Sequence, residues 1–198
     1  MKLEHISINN FKGIRSQSFD PSTFSCLVGE NNAGKSTVMQ AIVYALNRPS
    51  QLPPSHFYDS AVPVAFELRF SGVDDSHIAR LAEEAQQKIV PLVIDGVFSL
   101  RVQYAPSEKV AVTVLRRVPI EARYQSDAID DAFKGKKGQG AIDQVVGEVY
   151  PEFSKGQSEP LTTITAAKGF INAQVAALAP DQVELSYRPL CRQESVLQ

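Results

Sequence analysis

The sequence has no excess of positive charge: 20 Lys and Arg stand against 22 Asp and Glu, a formal net charge of −2. A chain of this balance has no overall field that would draw it to nucleic acid or anionic lipid, so any DNA contact must be local. It also lacks a long apolar run, because the longest, from Ile89 to Ile94, contains a proline and falls far short of the roughly 20 residues of a membrane span. The opening Met1 to His5 contains no apolar signal core. These absences predict a cytoplasmic protein with no membrane partner.

Cysteine is scarce as well, and neither Cys26 nor Cys191 has the C-x-x-C or Cys/His spacing of a zinc site. Two reduced thiols are the simplest interpretation in a cytosolic chain. No repeat of twenty to fifty residues is present. With 198 residues, 43% hydrophobic and 21% charged, the chain can close a real core in one to two domains. Disorder, coiled coil and collagen are excluded.

The first sixty residues predict a strand, a glycine-bearing loop and a helix in that order. Ile6 and Ile8 alternate with polar residues, and a short apolar strand is expected from Phe24 to Val28, ending at Gly29. A helix is predicted from Lys35 to Leu46, where apolar residues recur at helical spacing. One buried stripe is expected from Val38, Met39, Ala41, Ile42, Ala45 and Leu46.

An antiparallel meander is predicted next, from three segments in which apolar and polar residues alternate. They run from Val64 to Phe70, from Phe98 to Tyr104 and from Val110 to Val114. Asp95-Gly96 is a strong two-residue hairpin signal before the second segment. We expect a small meander with one face in the core.

Helical patterns make up most of the rest. Asp74 or Ser76 can cap a helix whose apolar face runs from Ile78 to Ile89. Residues 134–140 carry three glycines and are expected to form a mobile loop. Short helices are predicted at Ser126 to Phe133, Ile142 to Val149 and Thr163 to Leu178.

The segment Gly29-Glu30-Asn31-Asn32-Ala33-Gly34-Lys35-Ser36-Thr37 satisfies G-x-x-x-x-G-K-[ST] at every fixed position, between a predicted strand and a predicted helix. Such a loop wraps an anion with backbone N–H groups, and the following helix adds the positive end of its dipole. Lys35 is expected to reach the β- and γ-phosphates of ATP and to act in catalysis, while the Ser36 hydroxyl would ligate Mg²⁺. Residues expected at the nucleotide are Gly29, Asn31, Asn32, Ala33, Gly34, Lys35, Ser36 and Thr37, the last at the α-phosphate. The alternative is a glycine-rich turn with a solvated lysine.

The opening Ile6-Ser7-Ile8-Asn9-Asn10-Phe11-Lys12-Gly13-Ile14, followed by the phosphate loop, resembles the start of ABC-type ATPases that act on DNA. These include the RecF and SMC groups and, most similar, the OLD (overcoming lysogenisation defect) family. The segment His56-Phe57-Tyr58-Asp59 also resembles the pattern of the OLD family. The resemblance implies ATP-driven pairing of two lobes and, in OLD proteins, a C-terminal TOPRIM nuclease that cuts DNA and a part in phage defence. It also implies that Phe11 and Lys12 lie near the nucleotide base or phosphates.

Two further segments resemble other ATPase motifs only weakly. Leu92-Val93-Ile94-Asp95 imitates a Walker B strand, but Gly96 stands where a glutamate is expected and the pair favours a hairpin turn. Phe153-Ser154-Lys155-Gly156-Gln157 imitates an ABC signature, but Pro160 interrupts and no apolar strand follows, so a loop is favoured. No glutamine can be placed as the Q-loop residue.

Three further groups of polar residues favour ordinary surface roles. Asp127, Asp130 and Asp131 suit a helix start better than a metal site. The three histidines at positions 5, 56 and 77 are isolated, and no Ser/His/Asp arrangement is supported. Lysines 134, 136 and 137 suit a soluble loop better than a DNA contact.

The sequence predicts a mixed α/β (α+β) fold: a P-loop, ABC-type ATPase lobe with an antiparallel β meander and a helical C-terminal part. We expect a P-loop core over 1–60, a β subdomain over 61–119 and an incomplete helical segment over 120–198. The expected function is the ATP- and Mg²⁺-binding lobe of an OLD-like DNA endonuclease, with ATP state controlling a homodimer or larger oligomer. A RecF/SMC-like role without nuclease and a regulatory ATP-binding module are the alternatives. Little or no hydrolysis is expected from the chain by itself, which is expected to be a piece of a larger or split protein.

Overall fold

The computed structural model describes residues 1–154 and 160–189. The chain divides into two compact units, one of Met1–Arg116 together with the segment from Ser186, the other Arg117–Leu185. The strands are β1 Lys2–Phe11, β2 Ile14–Phe19, β3 Val64–Ser71, β4 Val93–Ile94, β5 Val97–Tyr104, β6 Ala111–Pro119 and β7 Val183–Pro189. The helices are α1 Lys35–Asn47, α2 Asp75–Ile78, α3 Glu83–Ile89, α4 Ser126–Ala132, α5 Gln139–Val149, α6 Pro151–Ser154 and α7 Ile164–Ala176.

The strands form one sheet in the order β2-β1-β3-β5-β6-β7, with β4 paired to β5. Pairings from β1 through β6 are antiparallel. One face is apolar and buried, where Ile8 pairs with Phe66 and Phe66 in turn with Val102. The neighbouring cross-strand pair Glu67 and Arg101, on the other face, forms an ion pair with 2.8 Å between nitrogen and oxygen. The predicted meander and its alternation are therefore confirmed.

Helix α1 packs on the buried face of this sheet through its smallest residues. Ala41 and Ala45 are fully buried within the same core as Phe66 and Tyr104. The prediction of a single buried stripe is wrong in part, because Met39 and Leu46 are about half exposed. Residues two positions apart on a helix point about 200° apart, so Met39 lies on the face opposite Ala41.

The strand predicted at Phe24 to Val28 is not formed. Residues 20–30 contain no strand, and no strand within the described parts of the chain pairs with them. Apolar sequence cannot by itself create a strand, because the backbone needs a neighbour to receive its hydrogen bonds. The phosphate loop is therefore entered from an unpaired segment.

The expected turn at Asp95-Gly96 is confirmed. Asp95 has φ 53° and Gly96 has φ 75°, the positive values that a type I′ turn requires, and Val93 and Ile94 pair back onto β5. Asp74 caps a helix as expected by accepting a hydrogen bond from the amide of His77. The single helix expected to reach Ile89 is instead two short ones, α2 and α3, and they help to line an apolar cavity of about 340 Å³ beside β3 and β5.

The second unit has a helical core of its own. The helices predicted near 126–133, 142–149 and 163–178 are confirmed as α4, α5 and α7. Helix α5 begins at Gln139, so the end of the expected 134–140 loop is helical. Strand β7 was not predicted, although its alternation of Val, Leu and Tyr with Glu, Ser and Arg is the period-2 pattern of a strand. No helix in the described parts of the chain combines the length and the hydropathy that a bilayer crossing needs.

Candidate phosphate-binding site

The motif folds as a compact loop that leads directly into α1. The amide of Ala33 donates to the carbonyl of Glu30 at 3.1 Å, and Asn32 has a left-handed φ of 68°. Gly34 is the N-cap residue of α1 with φ 86°, a conformation that glycine adopts without strain. No side chain caps this helix, and within the described residues the amides of Lys35, Ser36 and Thr37 have no hydrogen-bond acceptor. The first turn therefore presents donors and the positive end of the helix dipole.

Lys35 is folded back over the loop. Its Nζ donates to the carbonyl of Gly29 and to that of Glu30, each at 2.7 Å. These two bonds hold the ammonium group against the carbonyls of the loop that precedes the helix. A positive charge on the loop and open N–H donors at the start of α1 are two features that binding of a phosphate chain requires.

Glycine at the start of the loop allows a close approach of its two ends. A Cβ at Gly29 would come within 3.2 Å of the Cβ of Ala33, closer than such atoms normally lie. A Cβ at Gly34 would meet nothing within 4 Å, but its φ disfavours any other residue. The residues present therefore fit a triphosphate, which backbone amides and Lys35 would hold. Ser36 and Thr37 stand in the same first turn.

Phe11 and Lys12 have different surroundings, although Lys12 Nζ lies 5.8 Å from the centre of the Phe11 ring. The ring of Phe11 is fully buried and packs edge-on against Tyr44, His56 and Phe66. Lys12 has φ 50°, and its Nζ donates to the side-chain carbonyl of Gln40 on α1 at 2.6 Å. Phe11 is therefore part of the core, while Lys12 is carried to the second turn of α1. The contact with Gln40 was not foreseen from the sequence.

Asn10 ties the end of β1 to the segment around Tyr58. Its side chain is 6% exposed, donates to the carbonyls of Asp59 and Val62, and accepts from the amide of Asp59. Its own carbonyl accepts from the amide of Tyr58 at 3.0 Å. The Asn-Phe-Lys-Gly segment and the His-Phe-Tyr-Asp segment of the resemblance are thus one structural unit.

His56 belongs to the same unit, and its carbonyl accepts from the amide of Lys12 at 2.8 Å. Burial of the ring, aided by the positive charge of Lys12, lowers the pKa of His56. A histidine whose pKa is lower in the folded state binds fewer protons there than when unfolded. Its contribution therefore makes the free energy of unfolding decrease as pH falls through about 6.5.

We expect His56→Phe to flatten the acid side of the stability profile, because a phenyl ring can pack on Phe11 and Tyr44 without titrating. Urea unfolding of both proteins at pH 8 and pH 5 measures the difference. The loss of stability between these two values should be smaller in the variant. An equal loss in the two proteins would show that His56 does not contribute.

The weaker motif candidates do not assemble a second site. Asp95 lies in the hairpin turn, so the Walker B interpretation of this segment is not supported. Lys155 to Gln157 of the signature lookalike lie outside the described residues. Asp127 stands in the first turn of α4, as expected, and Asp130 pairs with Lys168 at 2.6 Å. In residues 1–154 and 160–189 no group of three His, Cys, Asp or Glu side chains is placed to hold a metal ion.

The other expected surface residues have local partners. His5 pairs with Asp20, and His77 pairs with Asp74. Lys134 lies 3.9 Å from a carboxylate oxygen of Asp131. Histidines 5 and 77 are thus bonded to nearby carboxylates, contacts that the sequence analysis did not predict.

A loop that presents amides and a lysine at the start of a helix packed on an antiparallel sheet defines an ATPase lobe of the P-loop class. A family model described as AAA ATPase domain matches residues 1–174. The chain belongs to this family. It is also 33% identical over 152 residues to the Old nuclease of Escherichia phage P2, which confirms the resemblance to the OLD group.

The Old nuclease match covers 77% of this chain but only 24% of the relative, so the chain spans about a quarter of that protein's length. Among solved structures, an SMC ATPase from a study of ATP-driven dimerization and DNA-stimulated activation is similar, with TM-score 0.42 and 15% identity. That match covers 58% of this chain and 69% of the other. The family assignment rests on the sequence comparisons.

Proposed function

We propose that this chain binds Mg-ATP at residues 29–37 and is the ATP-binding lobe of an OLD-like, ATP-dependent DNA endonuclease. The observation that carries the proposal is the position of Lys35 Nζ, 2.7 Å from two loop carbonyls at the start of a helix whose first amides are open to a ligand. Relationship to the phage P2 Old nuclease supports the link to DNA cleavage. In the whole protein, ATP state would control pairing of two lobes and access to DNA.

Each residue of the site has a distinct part in this proposal. The amides from Asn31 to Thr37, with glycines at 29 and 34, would wrap the phosphates, and Lys35 would neutralise the β- and γ-phosphates. The Ser36 hydroxyl would be a ligand of Mg²⁺, and the metal would neutralise charge on the phosphate oxygens. Lys12 can leave Gln40 and approach the phosphates from the sheet, with Phe11 fixing its backbone. Turnover needs further groups, so we expect little hydrolysis by the chain alone.

Titration calorimetry of the chain with Mg-ATP tests the proposal. We expect binding of Mg-ATP and Mg-ADP in the micromolar range and none of AMP, because the loop recognises the phosphate chain beyond the α-phosphate. Ser36→Ala should retain ATP binding but lose most of the gain that Mg²⁺ provides, as measured with and without EDTA. Binding of AMP as tight as that of ATP would contradict the assignment.

The division of the chain into 1–60, 61–119 and 120–198 also remains a proposal. In it the loop and α1 bind nucleotide, the meander supports α1, and the helical part belongs to a domain completed elsewhere. Nuclease activity of a longer protein that carries this lobe would be tested on plasmid DNA with and without ATP. ATP-dependent association on DNA without cleavage would instead favour the RecF/SMC-like role.

A further inference from the structure

Lys12 is a partly buried cation whose side-chain partner is neutral. Its Nζ donates to the side-chain carbonyl of Gln40 at 2.6 Å, and this hydrogen bond is partly buried. Among residues 1–154 and 160–189, no carboxylate oxygen lies within 4.0 Å of this ammonium group. A neutral amide oxygen attracts an ammonium group less strongly than a carboxylate or a phosphate oxygen does. The positive charge of Lys12 is therefore not neutralised by its partner.

The backbone of Lys12 is held in one conformation at the end of β1. Its φ is 50°, its amide donates to the carbonyl of His56 at 2.8 Å, and the preceding Phe11 is fully buried. A lysine stays in the left-handed region only where its surroundings hold it there. The Cα of Lys12 is therefore fixed, and its ammonium group can change partner by rotation of the side chain alone.

Gln40 places this charge on the face of α1 that carries Ser36. Residues four apart on a helix lie on the same face, about 6 Å apart along the axis, and their side chains tilt toward the helix N-terminus. The side chain of Gln40 thus extends toward the first turn of α1. There, within the described residues, the amides of Lys35, Ser36 and Thr37 have no acceptor. Because a lysine has a flexible four-carbon stem, Lys12 Nζ can pass from Gln40 to an anion held at these amides.

We propose that Gln40 is a positioning residue: it holds Lys12 beside the phosphate loop by a bond that is weak enough to be exchanged for a nucleotide phosphate. This inference rests on the proposed binding of Mg-ATP at residues 29–37. The exchange replaces a bond between a cation and a neutral amide by a bond between a cation and an anion, which is the stronger of the two. A carboxylate at position 40 would instead compete with the phosphate and retain Lys12. The neutral amide of Gln40 thus sets how much of the charge of Lys12 reaches the nucleotide.

Gln40→Glu tests the exchange, because it replaces a neutral acceptor by a charged one of the same length. We expect the Mg-ATP affinity in titration calorimetry to fall at least about tenfold. Gln40→Met has a similar length and no strong acceptor, so it should bind Mg-ATP within about threefold of the parent. Met39→Glu is the matched control for added negative charge, since Met39 is the adjacent residue of α1 and is 55% exposed. This variant should weaken binding less than about threefold, because solvent and salt screen an exposed charge.

The ammonium NMR signal of Lys12, identified by its loss in Lys12→Met, provides a second measurement. Without nucleotide, its protons should exchange with water faster in Gln40→Met and more slowly in Gln40→Glu than in the parent, because a hydrogen bond protects them. Mg-ATP should shift the signal in the parent and leave it unchanged in Gln40→Glu.

Three results would overturn the role of Gln40. They are equal losses of affinity in Gln40→Glu and Met39→Glu, a Lys12 signal that does not move in a parent that binds Mg-ATP, and a tenfold loss in Gln40→Met as well. The last result would favour a direct contact between Gln40 and the nucleotide. A parent that binds no Mg-ATP would instead refute the proposed function, and the inference with it, even if proton exchange at Lys12 follows the expected order.

Discussion

Lys35→Ala is expected to weaken Mg-ATP binding about 100-fold or more, equivalent to about 2.7 kcal/mol. The ammonium group lies 2.7 Å from the carbonyls of Gly29 and Glu30, directly at the loop that would receive the phosphates. Its removal takes away the only side-chain cation placed on the loop within the described residues. Charge-assisted bonds to phosphate are among the strongest single contacts that a site offers. Titration calorimetry with Mg-ATP measures the loss.

The fold should survive this change, and that separates a binding defect from a folding defect. Lys35 is the first residue of α1, where alanine is an equally good helix former and where a positive charge is unfavourable to the helix dipole. The free energy of unfolding in urea should therefore stay within about 0.5 kcal/mol of the parent. Lys109→Ala, in an exposed loop, is the control for loss of one positive charge. An affinity within threefold of the parent would exclude the loop as the nucleotide site.

The sequence pattern predicted correctly those strands that pair with other strands of this chain. The alternation of Val64, Phe66 and Leu68 is satisfied by pairing with β1 and β5, so the prediction and the structure agree. The hairpin turn at Asp95-Gly96 was also predicted correctly, because two residues with positive φ define the turn by themselves. The loop before Lys35 and the start of α1 at this residue also agree with the prediction, since this geometry depends on residues adjacent in sequence.

The errors arise where an element depends on something that adjacent residues do not reveal. Phe24 to Val28 has strand sequence but no neighbouring strand, and Met39 has the spacing of a buried stripe but faces away from the only sheet that packs on α1 among the described residues. The break between α2 and α3 contains neither proline nor glycine. Ile78, before the break, and Leu81, within it, line the same apolar cavity as Phe70 and Phe98, contacts that local sequence does not reveal.

At the candidate site, too, some features can be predicted from adjacent residues, and others depend on contacts between residues far apart in sequence. The motif predicts Lys35, Ser36 and Thr37 as nucleotide contacts, and this stays a prediction, whereas the burial of Phe11 and the bond between Lys12 and Gln40 could not be predicted from it. Both follow from the way α1 crosses β1, which places residues far apart in sequence side by side. Motif spacing is enough to predict the phosphate contacts, whereas the environments of Phe11 and Lys12 are set by packing between residues far apart in sequence.

Asn10→Ala is expected to destabilise the chain by about 3 kcal/mol, or about 6–12 °C in Tm. The variant loses two donated bonds, at 2.9 Å to Asp59 and 2.5 Å to Val62, and leaves the Asp59 amide without its acceptor. Asn10 also has φ 58°, where alanine is strained by about 1 kcal/mol. Asn10→Gly removes the same bonds without that strain, so it should be more stable than the alanine variant by about the same 1 kcal/mol. Urea denaturation of both variants measures the two contributions separately.

The neighbouring Asn9 is the matched control, because its side-chain bonds within the described residues are to Ser7 and Ser16. Asn9→Ala should cost less than about 1 kcal/mol. If it costs as much as Asn10→Ala, the segment at 56–62 is not held by Asn10 as described. The carbonyl of His56 in this segment accepts a hydrogen bond from the amide of Lys12. Release of the segment should therefore also disturb the position of Lys12 beside Gln40. A modest loss of Mg-ATP affinity in Asn10→Ala, absent in Asn9→Ala, would connect the Asn-Phe-Lys segment to the nucleotide through structure and not through direct contact.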